Sequence, residues 1–259
     1  MANYAETAND PDWGLYHWES EAILPPDVIE AAKRTMSDTQ YRQEYKASFE
    51  TASGRIYDQY GKENTTDATI EPHEEIWWMH DQNYTPLSSA IGVKRADSLY
   101  LLDEIVLMSA VSKQSAIEFV EKYADHKNKR VVLFGDPAGR AGEKHGHASD
   151  YTDIKDVQKT HGWTVRDKVP RKHPAIKDRQ NALRAKVCNA AEERTLFINP
   201  KTAPWCHEGM ATVQLQKGST FQEDQTNKYQ HITTAIGYCI AEMWPINKPV
   251  TTLDVGWAR

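Results

Sequence analysis

The sequence predicts an α/β domain with a mixed sheet flanked by helices, and three observations carry that expectation. Apolar segments at residues 76–79, 88–93 and 99–107 follow one another with no helical pattern between them, as in an antiparallel meander. Helix and strand patterns then alternate, which is the order of parallel units. The last patterned stretch, Tyr229 to Trp244, lines up Ile232, Ala235, Ile236, Cys239, Ile240 and Met243 on one face, suited to covering a sheet.

Each element has a local reason. Leu24-Pro25-Pro26-Asp27 is a proline-rich helix entry with Asp27 as the expected cap, and Val28-Ile29 opens the helical pattern. Tyr41 to Phe49 continues that helix or begins a second one. Gly61 to Glu75 is polar, acidic and aperiodic, and reads as a linker or loop. Residues 1–75 are therefore expected to be a leader and linker segment, and residues 76–259 the domain proper. Ile76-Trp77-Trp78-Met79 suits a buried strand that ends at His80-Asp81, with a turn at Asn83 to Pro86. The strand at Leu99 to Leu107 carries Asp103-Glu104 in its middle, so one carboxylate must face inward, where it needs a partner such as a metal, or toward the sheet rim, where simple exposure at the edge is the expected outcome. Lys113 to Tyr123 has helical spacing. Val131-Val132-Leu133-Phe134 is the apolar run of a buried parallel strand, stopped by Gly135-Asp136-Pro137. A helix at 151–160, a strand at 163–165, a polar helix at 175–191 and a strand at 196–198 complete the order.

Composition sets limits on function. A chain of 259 residues with 39% apolar content can build one substantial core. No run of about 18 apolar residues exists to span a membrane, and the polar first ten residues lack a signal-peptide pattern. Cys188, Cys206 and Cys239 are too far apart for a disulfide framework or a zinc site, so reduced thiols are expected. The net charge of −6 is unevenly spread. Residues 1–75 hold six Lys and Arg against sixteen Asp and Glu, whereas Thr164 to Lys186 holds eight basic residues against two acidic ones. That strip includes Lys168, Arg171, Lys172, Lys177, Arg179 and Arg184, and is what phosphate contact requires. It equally reads as a solvated face.

Asp81 and Asp136 each end a buried strand. Carboxylates there sit on rigid backbone where loops gather, and two of them can hold one or two divalent cations that activate water at a phosphodiester. Oxygen donors favour Mg²⁺ or Mn²⁺, and a histidine ligand tilts the choice to Mn²⁺. Aspartate is also an ordinary strand terminator. The glycine-rich run from Gly135 to Lys144 fails the phosphate-loop spacing, and His145 and His147 are expected to face solvent. His231 and Thr234, three residues apart, project from one face near the start of the last helix.

The ordered motifs add a family. Tyr41 to Phe49 with Gly54-Arg55-Ile56-Tyr57, then Asp81 to Ala90, Leu102-Asp103-Glu104-Ile105, Gly135 to Gly139 with Ser149-Asp150-Tyr151, and Tyr229 to Tyr238 together resemble the nuclease domain of the large terminase subunit. This is the DNA-packaging motor protein of tailed bacteriophages. The resemblance implies a ribonuclease H-like fold and divalent-metal cleavage of concatemeric double-stranded DNA. It implies Asp81, Asp136 and His231 as metal ligands, with Thr234 at the catalytic position of the closing helix. The first 75 residues look like the tail of the family's ATPase portion, but no Walker A lysine loop is present. The family pattern has an aspartate where Thr234 stands; an engineered knock-out, a natural loss, and compensation by His231 or by Asp224 are the open readings, with Glu104 and Asp224 as auxiliary candidates. The terminase small subunit and the portal protein are the implied partners, in the host cell cytoplasm. Two alternatives stand beside this reading: a DNA-binding or assembly module with weakened activity, and a resolvase-like nuclease of the same fold.

Overall fold

The computed structural model describes residues 18–48, 54–141 and 149–246. Its centre is a six-stranded mixed sheet of β1 (Ile76–Asp81), β2 (Leu87–Arg95), β3 (Ser98–Leu107), β4 (Arg130–Gly135), β5 (Thr164–Asp167) and β6 (Leu196–Ile198), in the order β5-β4-β1-β2-β3-β6. The first three strands form the expected antiparallel meander. The other three join in parallel, β4 and β5 on the β1 edge and β6 on the β3 edge. The α/β mixed sheet read from the sequence is the fold observed.

Strand residues alternate between faces, and both faces are covered. On one, Trp77, Met79, Val132 and Phe134 pack against α5 (Ile176–Val187), α6 (Pro204–Thr212) and α7 (Gln230–Met243). On the other, Ile76, Trp78, Val131 and Leu133 pack against α3 (Ser112–Lys122) and α4 (Asp150–Thr160). This explains why β1 and β4 read as continuous apolar runs. The apolar stripe of α7 is the one read from the sequence, with Ile232, Ala235, Ile236, Cys239 and Ile240 all fully buried. Cys188, Cys206 and Cys239 are free and buried.

The differences have local causes. Near the N-terminus, α1 (Pro26–Thr35) places Asp27 inside the first turn, and Pro25 takes the cap position without a side-chain bond. A separate α2 (Asp38–Tyr45) follows because the Ser37 hydroxyl accepts from the Gln40 N–H and restarts the helix. The stretch from Gly54 to Glu75 is tied into the body. Ile56, Tyr57 and Tyr60 are buried in the α7-side core, and the buried Asn64 amide donates to the carbonyls of Val187 and Leu196 at 2.9 and 3.0 Å. No helix is expected from the sequence between β6 and the closing helix, and the structure has α6 there. α6 is a short segment with weak periodicity, started by Pro204 in its first turn. His145 and His147 lie outside the described residues.

Two positions make the sheet testable. β2 and β3 shift register between Ile91 and Gly92, and a Cβ at Gly92 would lie 2.1 Å from the Tyr100 carbonyl oxygen. Backbone cannot yield there as a flexible side chain would. Gly92→Ala is expected to cost about 2 kcal/mol or more in denaturant unfolding, the range of overpacking in a full core; an unchanged midpoint would contradict the register. His80 on β1 is fully buried against Trp78, neither ring nitrogen has a protein partner, and burial lowers its pKa to about 3. Because the folded state holds the neutral form, this group's contribution is complete above pH 6.5 and is lost as pH falls toward 3. In that window unfolding free energy should drop by about 1.4 kcal/mol per pH unit on its account. His80→Leu should flatten that part of the curve.

Candidate metal centre at the ends of the parallel strands

Parallel pairing sets His80 opposite Gly135, so the next residue on each strand, Asp81 and Asp136, leaves the sheet side by side. Both follow the alternation of Trp77, Met79, Val132 and Phe134 and point to the α7 side. Asp136 also starts a short 3₁₀ turn, Pro137–Arg140, where its carboxylate accepts from the Ala138 N–H at 2.8 Å. Its second neighbour is His173, with Nδ1 at 3.4 Å, and that ring in turn meets the Tyr238 hydroxyl at 3.1 Å.

Asp81 is only 6% exposed, and burial pushes its carboxyl up from the ordinary value. Asp136 raises it further, and His231 and Arg179 pull it back. His231 stands on the first turn of α7 with Nδ1 2.9 Å from Asp81 Oδ2, and the Asn83 amide donates to the same oxygen at 3.1 Å. The amides of Asn83 and Gln230 also contact the His231 ring. The imidazole therefore orients the carboxylate.

Thr234 lies one turn along α7, and its hydroxyl donates to Glu223 Oε2 at 3.0 Å. Glu223 is 5% exposed and also accepts from Arg179 at 3.3 Å and Gln180 at 3.1 Å. Asp81, His231, Thr234, Glu223 and Arg179 line one cleft of about 440 Å³. The acidic residue that this loop presents to the cleft is thus Glu223. Asp224 beside it caps Thr226 through that residue's N–H and hydroxyl, at 2.9 and 2.8 Å.

Glu104 goes elsewhere. Its two oxygens accept from the Trp205 and Cys206 N–H groups at 2.9 and 3.0 Å, at the N-terminus of α6. Free backbone donors and the helix dipole both favour a carboxylate there. Asp103, on the opposite face, is held by Lys122 and Tyr123.

The basic strip divides. Arg171, Lys172 and Lys177 are exposed and Lys168 half-exposed. Arg179 is buried, with its guanidinium 4.9 Å from the Tyr238 ring centre, and Arg184 is held by the Ile56 carbonyl at 2.6 Å. Lys168 and Arg171 instead line a second cleft with Arg140, close to the turn that Asp136 begins.

Asn83, His173, Glu223 and Tyr238 were missed by sequence reasoning. Glu223 and His173 lie in aperiodic loops, where nothing in the pattern shows direction. Tyr238 had a signal: it falls four residues after Thr234, on the same side of the helix. Among the described residues, no three His, Cys, Asp or Glu side chains converge as a ready-made ligand group. Asp81 and Asp136 do supply two adjacent hard oxygen donors, and Asp81's carboxyl is strained by burial in a way a cation would relieve, so the pair fits a divalent ion.

Glu104→Ala should unfold more easily by roughly 1–3 kcal/mol, since two helix N–H groups lose their acceptor. Mn²⁺ binding at saturating ion should be unchanged. Lost ion binding in a folded variant would return Glu104 to the metal centre.

No family model and no curated relative matches the chain. Solved structures do. The large terminase of the thermophilic bacteriophage D6E superposes with a TM-score of 0.62 at 14% identity, covering 85% of this chain and 53% of that one. The nuclease domain of the P22 large terminase gives 0.53 at 17% identity, covering 76% of this chain and 99% of that domain. The chain spans about half the length of the D6E terminase. Similarity at these identities speaks for architecture: the chain has the fold of the large-terminase nuclease domain.

Proposed function

We propose that the chain is a divalent-metal-dependent endonuclease that cuts concatemeric double-stranded viral DNA during genome packaging. The observation that carries this reading is the register of β1 and β4, which brings Asp81, in the cleft lining, and Asp136 to adjacent strand ends. In this reading the two carboxylates hold Mg²⁺ or Mn²⁺, and the bound ion supplies an activated water and charge stabilisation for the leaving oxygen. His231 and Asn83 fix the rotamer of Asp81, and the His173 ring does the same for Asp136.

Exposed Lys168, Arg171, Lys172 and Lys177, with Arg140 across the second cleft, place positive charge beside the acids. Contacts of this kind engage phosphates and carry no sequence information, so cutting should depend little on sequence. Arg179 supports the site from within through Glu223, whereas Arg184 is held at the Ile56 carbonyl and does not line the cleft. Residues 76–259 would form the nuclease domain, with residues 1–75 as the tail of an ATPase portion. The small subunit and the portal would be its partners, in the host cytoplasm. Among the described residues no helix is long and apolar enough to cross a membrane.

One observation favours a second reading, an assembly module with weakened activity. Thr234 is neutral, and the nearest carboxylate, Glu223, is already engaged by an arginine.

Nicking of supercoiled plasmid in Mn²⁺ decides between them. The unaltered chain should nick. Asp81→Asn or Asp136→Asn should lower the rate by on the order of 100-fold or more, and His231→Ala by about 10- to 100-fold, the range for losing a residue that orients a ligand. DNA retained without nicking would establish the second reading and overturn the first.

A further inference from the structure

Arg179 has no business in a protein interior unless something there needs a cation. Burying a guanidinium costs several kcal/mol of lost hydration, offset only by close partners. The chain has made room for it. A Cβ on Gly237 of α7 would lie 2.7 Å from Arg179 Cγ and 3.0 Å from Cδ, so this helix position must lack a side chain for the arginine to cross it. The guanidinium then lies over the Tyr238 ring, donates to Glu223, and lines the same cleft as Asp81.

We infer that Arg179 is a built-in substitute for a second metal ion, so that the centre takes one divalent cation, at Asp81 and Asp136, beside a fixed organic cation. The inference rests on the nuclease reading above and deepens it. The donors around Arg179 support it. Thr234 brings no charge to the cleft, and Glu223 has its oxygens taken by Arg179, Gln180 and Thr234. A second ion would need Glu223 free, and in this arrangement its charge is already balanced. A guanidinium can also donate to a phosphate in the planar, forked geometry that suits it, stabilising negative charge at phosphorus without adding a water-derived nucleophile. Arg179 is thus a positioning residue for Glu223 and a fixed positive charge in the lining of the cleft.

Titration of the full 259-residue chain with Mn²⁺ tests this, by following the free-ion electron paramagnetic resonance signal. The unaltered chain should bind one ion, and Asp81→Asn should bind none. Arg179→Leu, which frees Glu223, should bind two; Arg179→Leu with Glu223→Gln should return to one, and removes the uncompensated buried charge if the single variant fails to fold. Gly237→Ala, which pushes the guanidinium aside without deleting it, should weaken its hold on Glu223 and admit a second ion at higher Mn²⁺. Two ions on the unaltered chain would overturn the inference and leave the nuclease reading standing. One ion on a folded Arg179→Leu would do the same. No ion on the unaltered chain would overturn the nuclease reading, and this inference with it.

Discussion

Parallel pairing of β1 with β4 sets His80 opposite Gly135, and each later feature of the site follows from that register. A slip of one residue on either strand would send its terminal aspartate to the α3–α4 side of the sheet, away from α7. The register is held because both faces are packed. Trp77 and Phe134 meet on one side, with ring centres 4.9 Å apart, and Trp78 stacks on Phe119 at 4.3 Å on the other. Neither set can exchange faces without exposing large aromatic area, about 150–250 Å² per ring. The apolar runs that make β1 and β4 recognisable as strands are therefore also what aims their carboxylates.

That coupling explains which parts of the molecule were legible in the sequence. The strands that end in Asp81 and Asp136 were legible from the continuous apolar runs that burial on both faces enforces, and the α7 stripe from helical periodicity. His231 and Thr234 were legible because a helix fixes what lies three residues apart. Glu223 was not. It sits in a loop where direction comes from tertiary bonds to Arg179, Gln180 and Thr234, and Asp224 next to it has the same chemistry and a different fate. Arg179 shows the same limit from the other side. Of the eight basic residues between Thr164 and Lys186, Arg179 and Lys186 are buried, and nothing in the spacing marks either one. The space left by Gly237 is visible only once α5 crosses α7.

Glu104 and Glu223 are a useful contrast, because both are buried carboxylates and either could serve a metal by composition. Glu104 is satisfied by two backbone N–H groups at a helix start, donors that cannot leave without unravelling α6. Burial still pushes its carboxyl up. Glu223 is satisfied by side chains alone, and side chains can rearrange. A carboxylate anchored by backbone serves the fold, and one anchored by a guanidinium becomes available only when that guanidinium is displaced. The same distinction separates Asp136, which spends one oxygen on the Ala138 N–H of its own turn, from Asp81, whose partners are all side chains.

Overall charge is a poor guide to where DNA would approach such a site. The acid excess lies in the first 75 residues, and exposed charges further apart than a Debye length, about 8 Å at physiological ionic strength, act nearly independently. What a phosphate backbone would meet in the proposed function is local: Arg171 and Lys172 exposed on the segment between β5 and α5, Lys177 in the first turn of α5, and Arg140 and Lys168 in the second cleft. Arg140 is itself tied to Asp167 at 2.7 Å, and Lys155 bonds the same carboxylate, so that rim is held rigid. Negative charge at the centre and positive charge at its edge is the arrangement a divalent ion and a polyanion jointly require. In the proposed function the carboxylates alone would repel the phosphates that a bound ion would polarise, and the basic edge alone would bind DNA without acting on it.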